Sequence, residues 1–104
     1  MTETATSRAS VTIRLTDERW AHIVEEHGEL AGLQAKVLQT IAEAETIHSG
    51  KAGELFAVHT VEPGKALVVV YREFDGRDGF VITAFLTRQL AKLSRRQQKW
   101  PPPN

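Results

Sequence analysis

Residues 55–87 read LFAVHTVEPGKALVVVYREFDGRDGFVITAFLT, and the two breaks inside that stretch decide the fold. Pro63-Gly64 and the run Asp75-Gly76-Arg77-Asp78-Gly79 are turn chemistry: Pro presets φ, Gly accepts positive φ, and Asp bonds its own backbone. Around them stand three runs rich in β-branched and aromatic residues, 55–61, 66–74 and 80–87, which predict strands joined as an antiparallel meander. With Glu62 opposite Lys65 and Phe74 opposite Gly79, paired numbers sum to a constant and two faces can be written. One holds Phe56, Val58, Leu67, Val69, Tyr71, Phe80, Ile82, Ala84 and Leu86 and is expected to carry the helices. The other holds Leu55, Ala57, His59, Val68, Val70, Arg72, Val81, Thr83, Phe85 and Thr87. Its polar side chains make it the place to look for chemistry.

Upstream of this stretch, Val11, Ile13 and Leu15 alternate with Thr12 and Arg14, the period of a short strand. Thr16 is a good helix N-cap, and Asp17 and Glu18 put negative charge where the first-turn amides favour it. A helix is predicted over 17–27, with Trp20, Ile23, Val24 and His27 on one stripe and Gly28 as its stop. A second, over 31–45, carries Leu33, Val37, Leu38 and Ile41 at amphipathic spacing. Residues 46–48 suit a short strand. Downstream, 88–99 place Leu90 and Leu93 on one side of a terminal helix, which the prolines 101–103 end. Residues 1–10 are small and polar and read as a disordered leader, 101–104 as a Pro-rich tail. That leaves 11–100 as one domain in a chain of 104 residues, 41% hydrophobic. The fold class is α+β, an N-terminal strand and two helices packed on one face of an antiparallel meander.

The chain has no cysteine, which removes disulfides, thiolate nucleophiles and zinc–thiolate sites together and suits a reducing compartment. No apolar run approaches the roughly 18 residues of a membrane span, and the first residues lack a secretory h-region. A cytoplasmic location without a membrane partner is the expectation. GxGxxG, Walker, HExxH and GxSxG patterns are absent from the sequence. His22 and His27, five apart, stand about 140° apart on a helical wheel and cannot chelate one ion. Neither a metal nor a cofactor is expected. The 13 basic and 13 acidic residues balance, yet they are unevenly spread. Seven acids face only Arg19 and Lys36 between 17 and 45, whereas Arg88, Lys92, Arg95, Arg96 and Lys99 have no acid among them. That basic segment is a candidate phosphate contact, and equally a solvated helix face.

The run Leu15-Thr16-Asp17-Glu18-Arg19-Trp20-Ala21-His22-Ile23, followed by Glu26-His27-Gly28-Glu29-Leu30, resembles the opening "LT..RW.HI..RHPEL" pattern of small phage and bacterial domains. Those domains belong to the barnase, EndoU, colicin and RelE-like (BECR) nuclease superfamily. Leu67 to Arg72 is similar to the family's "hVVVhR" strand, and Gly79 to Thr87 to its "GFIITAYLT" strand. The resemblance spans about residues 11 to 90. It implies the BECR fold and a metal-independent endoribonuclease of toxin or phage-accessory type, in which a 2′-hydroxyl attacks the adjacent phosphodiester. RNA is then the partner, with an antitoxin or immunity protein beside it. Position by position, His22 and His27 match the family's helix histidines, Arg72 its strand cation and Thr83 its strand threonine. On this reading a base and an acid are drawn from His22, His27 and His59, while Arg72 and Thr83 hold the phosphate. His59, Thr87, Arg88, Arg95 and Arg96 are the expected RNA contacts. Glu26 stands where the pattern has Arg and Gly28 where it has Pro, which exchanges a phosphate contact for a negative charge beside His22. The competing reading is a non-catalytic RNA- or protein-binding module on the same fold, and a third is an oligomerising domain whose mixed sheet face is an interface.

Overall fold

The computed structural model describes residues 2–102. It is an α+β fold whose seven strands form one mixed sheet in the order β1-β2-β6-β5-β4-β3-β7. The strands are β1 (Thr2–Thr6), β2 (Thr12–Thr16), β3 (Thr46–Ser49), β4 (Leu55–Glu62), β5 (Lys65–Glu73), β6 (Asp78–Thr87) and β7 (Gln98–Trp100). The helices are α1 (Asp17–Glu26), α2 (Gln34–Ala42) and α3 (Leu90–Ser94), with a 3-10 turn at Gly28–Leu30. Among the described residues no helix is long and apolar enough to cross a membrane.

Local chemistry explains the helix ends. Thr16 Oγ1 accepts a hydrogen bond from the Arg19 amide at 3.0 Å, closing the N-terminus of α1. Its end comes at His27, and the 3-10 turn and Gly32, at φ 84°, fill the space before α2. The second helix therefore starts three residues later than its apolar spacing predicts. Ile23, Leu30, Val37 and Ile41 are fully buried against Ile13, Leu15, Ala57, Leu67, Val69, Tyr71, Val81 and Ala84. Trp20 and Leu38 pack on the margin of that core.

The sheet departs from the predicted meander in three ways. First, β2 enters it parallel to β6, pairing Thr12, Ile13 and Arg14 with Asp78, Gly79 and Phe80. The approach is close: a Cβ on Gly79 would lie 2.8 Å from Ile13 Cδ1 and 3.1 Å from Glu73 Cα, and would strike the Arg72 carbonyl oxygen. Second, β1 forms where an unstructured leader is expected. Its five residues pair antiparallel with β2, and the turn between them is tied down from several sides. Ser7 Oγ donates to Glu73 at 2.8 Å, Arg8 donates twice to the Ala44 carbonyl, and the Arg8 guanidinium lies 4.2 Å from the Trp100 ring centroid. A polar strand buries little of its own, so sequence hydropathy cannot reveal it. Met1, also in the expected leader, lies outside the described residues, as do Pro103 and Asn104 of the expected tail. Third, the terminal helix over 88–99 is only α3, because residues 98–100 turn back to pair with β3 as β7.

Two bulges reset which side chains share a face. Pro63 followed by Gly64 at φ 79° fits a type II turn, whose twist does not suit a two-residue hairpin. The register slips between Thr60 and Glu62, so His59 pairs with Leu67 and Leu55 with Tyr71. In the second hairpin Glu73 pairs with Gly79 and Arg72 with Phe80, and a bulge at Ile82 restores the predicted pairing of Val70 with Thr83. Leu55, Ala57, His59 and Val81 consequently lie on the face covered by α1 and α2, and Phe56, Val58, Phe80 and Ile82 lie on the other, each opposite to expectation. The second face has its own smaller core, in which Val58, Ala66, Val68 and Val70 pack under Leu93 of α3.

Two outcomes test this architecture. Gly79→Ala is expected to lower stability by about 1–3 kcal/mol, read from chemical denaturation, since the extra methyl overpacks a strand crossing. Deleting residues 1–10 is expected to lower the thermal midpoint as well; an unchanged midpoint would mean that β1 and the Arg8 contacts contribute nothing.

Candidate functional site

The face away from α1 and α2 is only half covered, because α3 is five residues long and spans the end of the sheet nearest Ala66 and Val58. Adjacent strands present Phe56, Val70 and Thr83 side by side, with Arg72 and Phe80 one step further along. Thr83 is half-buried, and its hydroxyl makes no hydrogen bond to another described residue. Phe56, Phe85, Thr87, Lys92 and Arg96 line a cleft of about 170 Å³ beside α3. Arg96 lies 4.5 Å from the centroid of the Phe56 ring, a cation–π contact that fixes the guanidinium at the cleft.

Of the helix histidines, one reaches this face. β6 pairs with β2 only as far as Phe80, which leaves its outer edge open beyond that point. The C-terminal end of α1 lies there, and the His27 ring stands 6.3 Å, centroid to centroid, from Phe85. Its side chain is one-third exposed, with Nδ1 3.9 Å from Glu29. Thr83, Thr87, Arg72 and Arg96 therefore share this face, with His27 at its edge beside Phe85. His22 does not join them: it is exposed on α1 and its Nε2 meets Glu26 at 2.8 Å. His59 is on the opposite face, 3.4 Å from Glu45, whose carboxylate also accepts from the Thr60 amide and hydroxyl. Arg88 is at the hairpin end, bonded to Glu62 at 3.0 Å. Arg95 is exposed at the end of α3.

Arg72 donates to the Ala52 carbonyl, so it also holds the turn between β3 and β4, and Gly53 lies against its guanidinium. One of its five N–H groups is thereby used. Glu54 is the acid of that turn. The Ala52 amide, more than the guanidiniums of Arg72 and Arg96, holds its carboxyl below the ordinary range. Glu73 and Glu62 are engaged with Ser7 and Arg88, whereas Glu45 meets Thr60 beside Val58 and Ala66, and Asp78 meets Arg14. Neutral net charge thus conceals a face whose centre holds Arg72, Lys92 and Arg96 against Glu54, with Arg14 and Asp78 paired at its β2 side.

The sequence reading missed the aromatic side chains of this surface. Phe56 and Phe80 were assigned to the helix face by a register one residue out, and Phe74, 63% exposed, had no assigned role. A phenylalanine directly before the Asp75-Gly76 turn was the available signal. His48 is buried on β3, its Nε2 3.1 Å from Thr46 Oγ1 of the same strand and its Nδ1 3.5 Å from the Arg96 carbonyl oxygen.

A second cleft, about 280 Å³, lies on the opposite side between the β1–β2 turn and β7, lined by Arg8, Ile47, Leu55, Tyr71, Glu73 and Trp100. Lys99 of the basic segment also lines it, but none of the histidines does, nor Arg72 or Thr83. Tyr71 is 1% exposed, and burial pushes its phenol well above the ordinary tyrosine range, with Glu73 adding to the effect. Comparison with family models, with curated proteins and with solved structures found no match to this chain.

Because Tyr71 is the sole tyrosine, ultraviolet titration reads it alone. Its midpoint in the folded protein is expected well above the ordinary value of about 10, returning to about 10 in denaturant. The folded state then holds the proton more tightly than the unfolded one. The stability this represents is complete below pH of about 10 and is lost as pH rises above it toward the folded-state pKa.

Proposed function

We propose that the domain is a BECR-type, metal-independent endoribonuclease and that the open sheet face is its active surface. The observation that carries this reading is the meeting of His27 with Phe85 at the free edge of β6, which brings a helix histidine to the face bearing Thr83 and Arg72. These are three of the four positions that the family resemblance assigns to catalysis. Register sets Arg72 and Thr83 on neighbouring strands, and the end of α1 adds His27 at the edge of the same sheet.

The chemistry needs a proton acceptor, a donor for the leaving oxygen, and positive or hydrogen-bonding groups around the phosphate. His27 takes the proton from the 2′-hydroxyl as its oxygen bonds to phosphorus. The imidazolium so formed returns a proton to the 5′-oxygen as the bond from phosphorus to that oxygen breaks, leaving a 2′,3′-cyclic phosphate. Arg72 and Arg96 offset the charge that builds on the non-bridging oxygens, and the Thr83 hydroxyl donates to one of them. Lys92 and Thr87 hold the adjoining backbone. A toxin or phage-accessory role goes with this activity, together with an antitoxin or immunity protein that masks the face.

Incubation with mixed RNA in EDTA is expected to yield 2′,3′-cyclic phosphate ends. Arg72→Ala is expected to lower single-turnover cleavage about 10²-fold or more, as loss of one transition-state donor does, with His27→Ala at least as severe. His59→Ala is expected to cleave normally, since His59 is on the other face. The separation of His22, His27 and His59 favours one rival, an RNA-binding module on the same fold. It predicts RNA binding through the same cations and no cyclic phosphate from any variant.

A further inference from the structure

The strand register places an aromatic ring between two arginines. Arg14 on β2 pairs with Phe80 on β6, and Phe80 pairs with Arg72 on β5. Ile13 and Leu15 point into the core, so Arg14 projects to the open face with Phe80 and Arg72. At about 4.8 Å between neighbouring strands, the arginine backbones stand about 10 Å apart with the ring between them. Phe74 packs on Phe80, the ring centroids 5.0 Å apart and inclined by 36°. Beyond Phe80, a cleft of about 250 Å³ opens between its ring and Arg14, Thr16 and Arg19. Arg14 is half-exposed and bonded to Asp78 at 2.9 Å, and Arg19 is exposed at the first turn of α1.

Phe74 is one of two large apolar side chains left exposed among the described residues, and no core contact accounts for it. Its setting has a definite chemical character. A ring pair supplies a face on which a base can stack, and cations on both sides of the ring suit the phosphates before and after that base. An apolar protein partner would gain nothing from the flanking arginines, whereas a polyanion with flat apolar groups meets the ring pair and Arg72, and competes with Asp78 for Arg14.

We propose that Phe80, backed by Phe74 and flanked by Arg14 and Arg72, is a stacking subsite for an unpaired nucleotide next to the phosphate held at Thr83, so that the substrate is single-stranded RNA. This rests on the RNA-directed reading of the open face and extends it along β6. The strand runs from the His27 and Phe85 end, past Thr83, to Phe80. A duplex is refused because its bases are already stacked and its deep, narrow major groove admits no side-chain ring. Arg19 and Thr16 bound the far side and receive the next phosphate.

The test is fluorescence anisotropy with a fully 2′-O-methylated RNA dodecamer, which lacks the attacking hydroxyl, as a single strand and as a blunt duplex at fixed salt. The wild type is expected to bind the single strand at least tenfold more tightly than the duplex. Loss of one stacked base is expected to weaken single-strand binding about 5- to 150-fold, the range that base–aromatic stacking commands. Phe80→Leu and Phe74→Ser are the variants, and duplex binding is expected to stay within twofold of wild type. Phe74→Ser changes an exposed side chain, so it reports even if Phe80→Leu disturbs folding, which thermal unfolding checks. Arg14→Gln is expected to lower the salt slope by about one, as loss of one phosphate contact does. If both phenylalanine variants bind the single strand like wild type while Arg72→Ala binds it poorly, the stacking subsite is wrong and the RNA reading stands. If Arg72→Ala also binds like wild type, the subsite is wrong all the same, since a transition-state donor need not show in ground-state binding; if the wild type binds neither RNA, the RNA reading falls and the subsite with it.

Discussion

The structure turns on the crossing at Gly79. There β2 runs beside β6 with its Ile13 side chain against a backbone that has no Cβ to spare, and the Arg72 carbonyl closes in from β5. Three strands meet more closely than side chains allow, which is why a glycine opens the last strand of the meander. From that contact follow both the core and the surface. Ile13 and Leu15 are carried under α1 and α2, while Arg14, between them, is turned to the opposite side. The β1–β2 turn is then within reach of the far edge of the sheet, where Arg8 lies on Trp100. A sheet that looks open in strand order is drawn together around the helices.

Most elements could be read from the sequence, because their signals are local. The strand runs, the Pro-Gly and Asp-Gly turns and the Thr16 cap each depend on residues within a few positions. Face assignment is different in kind. It depends on register, which one extra residue inverts, and the bulges near Val61 and at Ile82 each insert one. Arg72, Thr83, Phe85 and Thr87 were correctly grouped because the bulge at Ile82 returns that hairpin to its predicted register. His59 and Phe80 were misplaced because each lies in a stretch whose register is shifted. β1 was illegible for another reason: five residues of Thr, Glu and Ala have no pattern of their own. Their order comes from a partner strand and from contacts made by Ser7 and Arg8 with residues far along the chain.

Charge shows the same separation between composition and arrangement. Thirteen bases and thirteen acids cancel in sum. In space, carboxylates at 26, 45, 62, 73 and 78 each meet a histidine, a hydroxyl or an arginine. Their pairing lies mostly at helix surfaces and hairpin ends, where solvent screens it to little energetic consequence. What remains for a ligand is the local field of the open face, set by Arg72, Lys92 and Arg96 against Glu54. A polyanion responds to charges within about a Debye length, close to 10 Å, more than to the sum over the molecule.

Glu26 is the residue whose charge differs most from the nuclease pattern that the sequence resembles. From sequence it stands one residue before His27 and introduces a repulsive charge. Glu26 is the last residue of α1, whereas His27, its C-cap at φ −131° and ψ 72°, leaves the helical path, so the two neighbours address different surroundings. His27 leans on Phe85 at the sheet edge, and Glu26 is engaged with His22, both more than half exposed. The negative charge is therefore held against an imidazole in solvent, with high dielectric around it. The pairing also occupies His22 with its own neighbour one turn on. The proposed chemistry is thus concentrated on His27, and the face carrying Thr83 and Arg72 keeps its positive character despite the acid in the helix.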